Sequence, residues 1–362
     1  IALSVYLVCF YRPFAPRGPV VDRTFVLRFS VAYGNLGAEV WNLTEEDYTI
    51  GLFSNNSWQR VYLVNYSFPI KSLKNDEDGN HIAVLDAQTD HVFPKTTFSY
   101  DVEYRIITKP RSIPDVNTQS SLRLSDIPET MRETFRRAEG PWQVIDPEII
   151  DLAHEIAGNE TNVLAMIRKF VKWIKDNIHY KTADIPRYPN ETLKERRGDC
   201  DDQANLLITF SRVYGIPAYL QVGCIYMPSR VNETSRYWDG RLTTTLSRVG
   251  WHGWAMVYIP PWGWLPVDLT YAQDISADPL NAIKKSAIRL QETVLYLNIT
   301  KTDYIASSII LKSLLQKHTF HIYEYDEMRE ESTITMLMES SRLYRDLQVS
   351  TFAIPILAKT YK

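Results

Sequence analysis

Cysteine is scarce in this chain: Cys9, Cys200 and Cys224 are the only three among 362 residues. Three cysteines cannot build a disulfide framework, and their spacing offers no paired zinc ligands. At least one thiol therefore has no partner within the chain. A lone cysteine is ordinarily a small buried hydrophobe, so its surroundings must supply any chemical argument. A basic excess is missing too. The net charge of −3 leaves no Lys/Arg stripe, which argues against nucleic acid as a partner. Uncharged runs stay short of the ~20 residues that span a bilayer. The most apolar one, Ile1–Tyr11 (IALSVYLVCFY), is followed by Arg12, Pro13 and Arg17.

What is present suits a folded protein of two or three domains, with 45% hydrophobic and 23% charged residues supplying a sizeable core. Because the chain starts without Met, residues 1–19 are read as the end of a membrane anchor or signal segment. The Tyr6-Leu7-Val8 sequence lacks the small residues of a lipoprotein cleavage site, so Cys9 is not read as lipidated. Asn-x-Ser/Thr acceptor sequences stand at Asn42, Asn55, Asn65, Asn159, Asn190, Asn232 and Asn298. With glycans confined to exported surface loops, they favour an extracytoplasmic protein tethered by its N-terminus.

Strand signals dominate residues 20–110. Phe25–Val31, Gln59–Phe68, His81–Asp86 and Thr97–Thr108 are rich in Val, Ile, Tyr and Phe and are separated by turn-prone stretches such as Lys74–Asn80. They predict a β-sandwich domain with no catalytic cluster. Residues 111–139 read as a proline-containing linker. Pro147–Ala157 and Asn162–Ile178 then show helical periodicity, the latter with Leu164, Ile167, Val171, Ile174 and Ile178 on one stripe.

Arg197-Gly198-Asp199-Cys200 leads into a predicted helix over Asp201–Tyr214, stopped by Gly215 and Pro217. Asp199 can cap this helix and leave Cys200 in its first turn, where free N–H groups favour a thiolate. Asp201 and Asp202 work against that, so a charged histidine nearby is needed. Gly198 lets a substrate approach the backbone closely. Farther on, Trp251–Ile259 and Trp264–Leu269 read as two strands of a hairpin, turned by Pro260-Pro261-Trp262-Gly263. His252 and Asp268 then lie at one end of it. A carboxylate so placed can fix the imidazole tautomer and support its positive charge. Among the seven histidines, only His252 has a carboxylate in its hairpin and flanking tryptophans. The two residues share a face only if Asp268 stands opposite an even-numbered residue such as Trp254.

Three blocks together resemble the transglutaminase-like superfamily, specifically microbial and archaeal transglutaminase-core proteins. They are Gly198-Asp199-Cys200-Asp201-Asp202 running on to Gly215-Ile216-Pro217, then His252-Gly253-Trp254, then Gly263-Trp264 with Pro266-Val267-Asp268 and Thr270. The resemblance covers about residues 140–275. Gly253 stands where that family more often has alanine, and Met256 where it more often has an acid. The resemblance implies an α+β, papain-like core, with a nucleophile helix packed on an antiparallel sheet. It also implies a Cys200–His252–Asp268 triad that performs acyl transfer without a cofactor, metal or otherwise.

Protein, peptide or cell-envelope polymer is the expected substrate class, with hydrolysis ahead of cross-linking. A glycan amidase akin to peptide N-glycanases is a weaker reading, since their cysteine-rich zinc module is missing. The competing class is a non-catalytic envelope scaffold that keeps the fold. Trp251 and Trp254, with Trp262 and Trp264, are candidates to wall a substrate trench, although alternation turns half of the four toward the core. Residues 228–248 read as an inserted lid or surface loop. The tail, residues 276–362, reads as a structural α/β extension. In it Pro279–Gln291 and the charged Glu327–Arg345 read as helical, Thr293–Ile299 as a strand, and Ser350–Tyr361 as an apolar segment packing back.

Overall fold

The computed structural model describes residues 21–331. The N-terminal apolar run with Cys9, and the segments beyond 331, lie outside the described residues. Among the described residues no helix is long and apolar enough to cross a membrane.

The fold is α+β, with two principal sheets. One contains β1 (Arg23–Asn35), β2 (Gln59–Tyr66) and β3 (Thr97–Thr108). Helices α1 (Pro147–Ala157), α2 (Val163–Asn177) and α3 (Cys200–Val213) follow. Then come β4 (Ala218–Tyr226), the hairpin β5 (Glu233–Tyr237) and β6 (Leu242–Ser247), and the hairpin β7 (Val249–Ile259) and β8 (Gly263–Val267). Strand β9 (Thr293–Ile299), helix α4 (Tyr304–His318) and strand β10 (Phe320–Glu331) follow.

Local chemistry sets these boundaries. Asp146 and Asn162 accept backbone N–H groups at the starts of α1 and α2, and Pro147 occupies the first helical position of α1. The helical stripe of α2 buries Leu164, Ile167, Phe170, Val171 and Ile174, with Ile178 buried just past its end. These side chains join Leu206, Leu207 and Phe210 of α3 and the odd-numbered Ala255, Val257 and Ile259 of β7 in one core. A nucleophile helix therefore lies on one face of the antiparallel sheet β8-β7-β4-β9.

The other sheet runs β5-β6-β10-β1-β3-β2, and its pairs are antiparallel except β6 with β10. The N-terminal β-rich region is thus not closed in sequence. It takes strands from the 228–248 insertion and from the C-terminal stretch. The expected lid or loop is an edge hairpin of this sheet, because β10 offers it an open edge. Residues 327–331, expected to be helical, continue β10 opposite β1, where Met328 buries against the apolar sheet face. In 279–291 only Asn281–Lys284 is α-helical, followed by a 3-10 turn at Ala287–Arg289.

Side chains tie β9 to its neighbours. The Gln59 amide donates to Leu295 O at 2.8 Å and accepts from Leu295 N at 2.7 Å. Asn80 makes the same reciprocal pair with Asn298, at 2.6 and 2.9 Å. These amides occupy an edge of β9 that would otherwise be an open strand template. Asn298 also accepts a hydrogen bond from Gln221, so this acceptor sequence lies inside a paired strand rather than in the exposed loop a glycan needs. Asn190 is half-buried on the short helix Pro189–Glu195; Asn42 and Asn65 are exposed but lie in paired strands, and Asn55, Asn159 and Asn232 are exposed outside strands and helices.

Candidate active site

Helix α3 begins at Cys200, with Asp199 as its capping position. The Asp202 carboxylate reaches back to the Asp199 N–H at 3.2 Å, and Arg187 holds that carboxylate through its backbone N–H (2.6 Å) and its guanidinium (3.0 Å). Gly198 is buried beneath this turn. A Cβ there would stand 2.6 Å from Asp202 Cβ, so glycine is required for the helix start to pack. The sequence reading gave Gly198 to substrate approach; the structure gives it to packing.

Strand β7 meets α3 at Gly253, where a Cβ would approach Asp201 Cβ to 3.3 Å. The Gly253 backbone N–H favours the Cys200 thiolate and works to lower its pKa. Cys200 and His252 therefore flank the same glycine.

In the hairpin, Ala255 pairs with Val267 and Met256 with Pro266. Continued by one residue, this register sets Asp268 opposite Trp254, the even-numbered position that puts His252 and Asp268 on one face. His252 Nε2 lies 3.0 Å from Asp268 Oδ1. Both residues are buried, at 6% and 1% exposure, so the pair is shielded from solvent screening. Asp268 also accepts from Thr270 N (3.2 Å), Tyr271 N (2.9 Å) and Ala287 N (2.8 Å). Burial pushes its pKa up, but the His252 charge and these hydrogen bonds outweigh burial and leave it below the ordinary carboxylate value. An ionised Asp268 accepts from His252 Nε2–H, which leaves Nδ1 as the basic nitrogen.

Cys200 is in the opposite situation. Burial, then the charges of Asp201 and Asp199, raise its pKa well above the usual thiol value, against the lowering effect of the Gly253 and Asp201 N–H groups. The thiol donates toward Asp201 Oδ1 at 3.9 Å. The expected thiolate-favouring helix start is therefore overridden by the carboxylates around it. Ionising this thiol requires a base to take its proton.

The tryptophan candidates fall elsewhere. Trp254 is 1% exposed and packs with Met256, Ile288 and Leu295. Its indole lies against Gly223, where any Cβ would come within 2.7 Å of the ring. It supports the His252 ring from below, at 5.6 Å between centroids. Trp251, on the other face, donates to Asp326 at 2.8 Å and stacks on Phe29. Neither walls a trench beside Cys200.

Residues absent from the sequence reading take part. Tyr271 flanks His252 at 5.8 Å between ring centroids. Tyr304 donates to Asp201 at 2.7 Å and accepts from Asn205 at 2.7 Å, and Asn205 in turn accepts from Trp142 at 3.2 Å. The turn after Asp268 carried a local signal in its Asp-x-Thr sequence; the Tyr304 link, about a hundred residues away, carried none.

A capped cysteine helix on an antiparallel sheet, beside a buried His–Asp hairpin, defines a papain-like thiol core. Residues 150–269 match the model of the transglutaminase-like superfamily and form a domain of that superfamily, which contains Cys200, His252 and Asp268. The solved structure of a candidate cysteine protease from Cytophaga hutchinsonii shares the fold. It aligns with a TM-score of 0.52 at 16% identity, covering 86% of this chain and 92% of that one. The ethylmercury-bound periplasmic domain of TgpA from Pseudomonas aeruginosa aligns at a TM-score of 0.33 and 16% identity, over 67% of this chain and 89% of that one. No curated protein matches.

Proposed function

We propose that the chain is an extracytoplasmic thiol enzyme that opens amide bonds of protein or cell-envelope polymer through a Cys200 thioester. The observation that carries this reading is the buried His252–Asp268 pair at 3.0 Å, adjoining the first turn of the cysteine helix through Gly253.

His252 Nδ1 takes the Cys200 proton as sulfur attacks the amide carbonyl carbon. Asp268 stabilises the imidazolium that results. The imidazolium returns the proton to the departing amine, the C–N bond breaks, and the thioester remains. A water molecule, deprotonated by His252, then attacks the thioester carbon, and the regenerated thiol regains its proton. Because the thiol is held neutral at rest, ionisation is coupled to arrival of a substrate rather than stored beforehand. Water is always available as acceptor, which favours hydrolysis over cross-linking. The exposed acceptor asparagines support export, and the apolar run at 1–11 supports a tether.

The test is iodoacetamide labelling of wild type and His252→Ala across pH, with Cys200→Ala as the blank. Labelling of Cys200 that slows without His252 supports the role of base. A rate independent of His252 overturns it. Incubation with envelope peptides, read by mass spectrometry for ammonia, new termini or cross-links, separates hydrolysis from transfer; no product from any of them favours a scaffold.

A further inference from the structure

Helix α2 carries a stripe of positive charge along its solvent side. Arg168, Lys172 and Lys175 stand at i, i+4 and i+7, which sets them on one face, and Lys169 adjoins them. The cavity faced by Trp251, about 200 Å³ in volume, is walled mainly by rings. A larger one, of about 420 Å³, is lined by this basic stripe. Its facing wall belongs to residues 275–279, which follow the turn after Asp268, and it presents the Ser276 side chain. Small-molecule sites commonly measure roughly 300–1,000 Å³.

Charge inside this cavity is unbalanced. Four of its lining residues are cations and two, Glu160 and Asp176, are acids, which leaves an excess of two positive charges. Both acids are already engaged. Asp176 pairs with Lys172 at 2.6 Å, and Glu160 accepts from Thr161 N and Asn162 N at 2.9 Å each. Behind the facing wall, Asp278 comes no nearer to Arg168 than 3.8 Å. Lys169 and Lys175 donate to carbonyls instead, to Ala157 O at 2.7 Å and to Leu269 O at 3.0 Å. A carbonyl takes one of the three ammonium donors and cancels no net charge. Lys175 is half-buried, and burial pushes its pKa down against the opposing charge of Asp268.

We propose that this cavity binds a small polyvalent oxyanion, a compound with phosphate or carboxylate groups, seated among Lys169, Lys172 and Lys175 with Ser276 donating from the facing wall. Two negative charges match the excess of two. Lys169 and Lys175 are six residues apart, about 9 Å along the helix axis, so a monatomic anion meets only one end of the site. Oxyanions accept several charge-assisted hydrogen bonds at once, which suits donors spread in this way. Through Leu269 the site adjoins Asp268, and it stands whether or not Cys200 is catalytic.

Calorimetric titration of the purified chain tests it, with sodium pyrophosphate and sodium citrate as phosphate and carboxylate probes and sodium chloride at matched ionic strength as the control. Saturable binding of at least one probe, and none of chloride, is expected; the probe that binds tells phosphate from carboxylate ligands. Lys175→Gln should weaken binding about five- to tenfold and Lys172→Gln about two- to fivefold. Lys317→Gln, an exposed change on α4 outside the cavity, should leave it unchanged. Circular dichroism establishes that each variant is folded, and Lys172→Gln, at an exposed position, carries the test if Lys175→Gln does not fold. No saturable heat from either probe at millimolar concentration overturns the proposal. So does undiminished binding by the folded cavity variants, or an equal loss in Lys317→Gln.

Discussion

Replacement of Asp201 by asparagine should make Cys200 more reactive, not less. The Asp201 Oδ1 atom stands 3.9 Å from the sulfur, and its charge is the second largest contribution, after burial, to the raised thiol pKa. Two unit charges about 4 Å apart repel by about 1 kcal/mol in water and about 4 kcal/mol at an effective dielectric near 20. Cys200 is partly exposed, so we take about 1–3 kcal/mol, or about 5- to 150-fold more thiolate at neutral pH. A less basic thiolate is also a weaker nucleophile, with a Brønsted slope of about 0.4–0.5, which trims the gain in rate to about two- to twentyfold. Asparagine keeps an oxygen to accept from Tyr304, so the network behind the helix survives. The assay is the pseudo-first-order rate of iodoacetamide labelling at pH 7, with the Cys200→Ala blank subtracting labelling of Cys9 and Cys224. An unchanged or slower rate in a folded Asp201→Asn variant would refute the claim that local carboxylates hold the thiol neutral.

Two further outcomes follow from groups away from the thiol. Asp326 is raised to about 7 in the folded chain, from an ordinary value near 3.9. A raised pKa contributes stability that is fully present below the unfolded value and lost as pH rises through the folded one. Unfolding free energy from urea titrations should therefore fall by about 2–4 kcal/mol between pH 5 and pH 8, and Asp326→Asn should remove much of that slope; equal slopes in the two proteins would contradict the assignment. Asp78 Oδ1 accepts from Thr300 N, Thr300 Oγ1, Lys301 N and Thr302 N at 2.7, 2.8, 2.8 and 3.3 Å. Asp78→Ala leaves these donors to water, so a loss of about 2–4 kcal/mol is expected, with faster amide exchange at 300–302; a loss within measurement error would show the clamp to be energetically idle.

Much of the active-site region was legible in the sequence because its determinants are local. Asn162, Gly215 and Pro217 punctuate helices within a few residues of where the structure ends them, and alternation along 251–259 marks β7. The even register of the hairpin follows from the short turn at 260–263, since the turn leaves little freedom to slip. The misread features share a different cause. Glu327–Glu331 has a helix-like composition but extends a strand, because β1 offers twelve residues of paired edge. The 233–247 hairpin is polar and reads as loop, yet it has a sheet edge to join.

By itself, then, the sequence determined the order of elements, the helix start at Cys200 and a hairpin able to bring His252 to Asp268. Periodicity, caps and turns act over a few residues, and these features lie within that range. Only the tertiary structure decided that three distant stretches share one sheet and that Trp251 faces a cavity rather than a substrate. It also decided that Cys200 sits in a field of carboxylates. Burial and electrostatic neighbourhood are set by which surfaces meet in space, and a linear pattern carries that information only weakly.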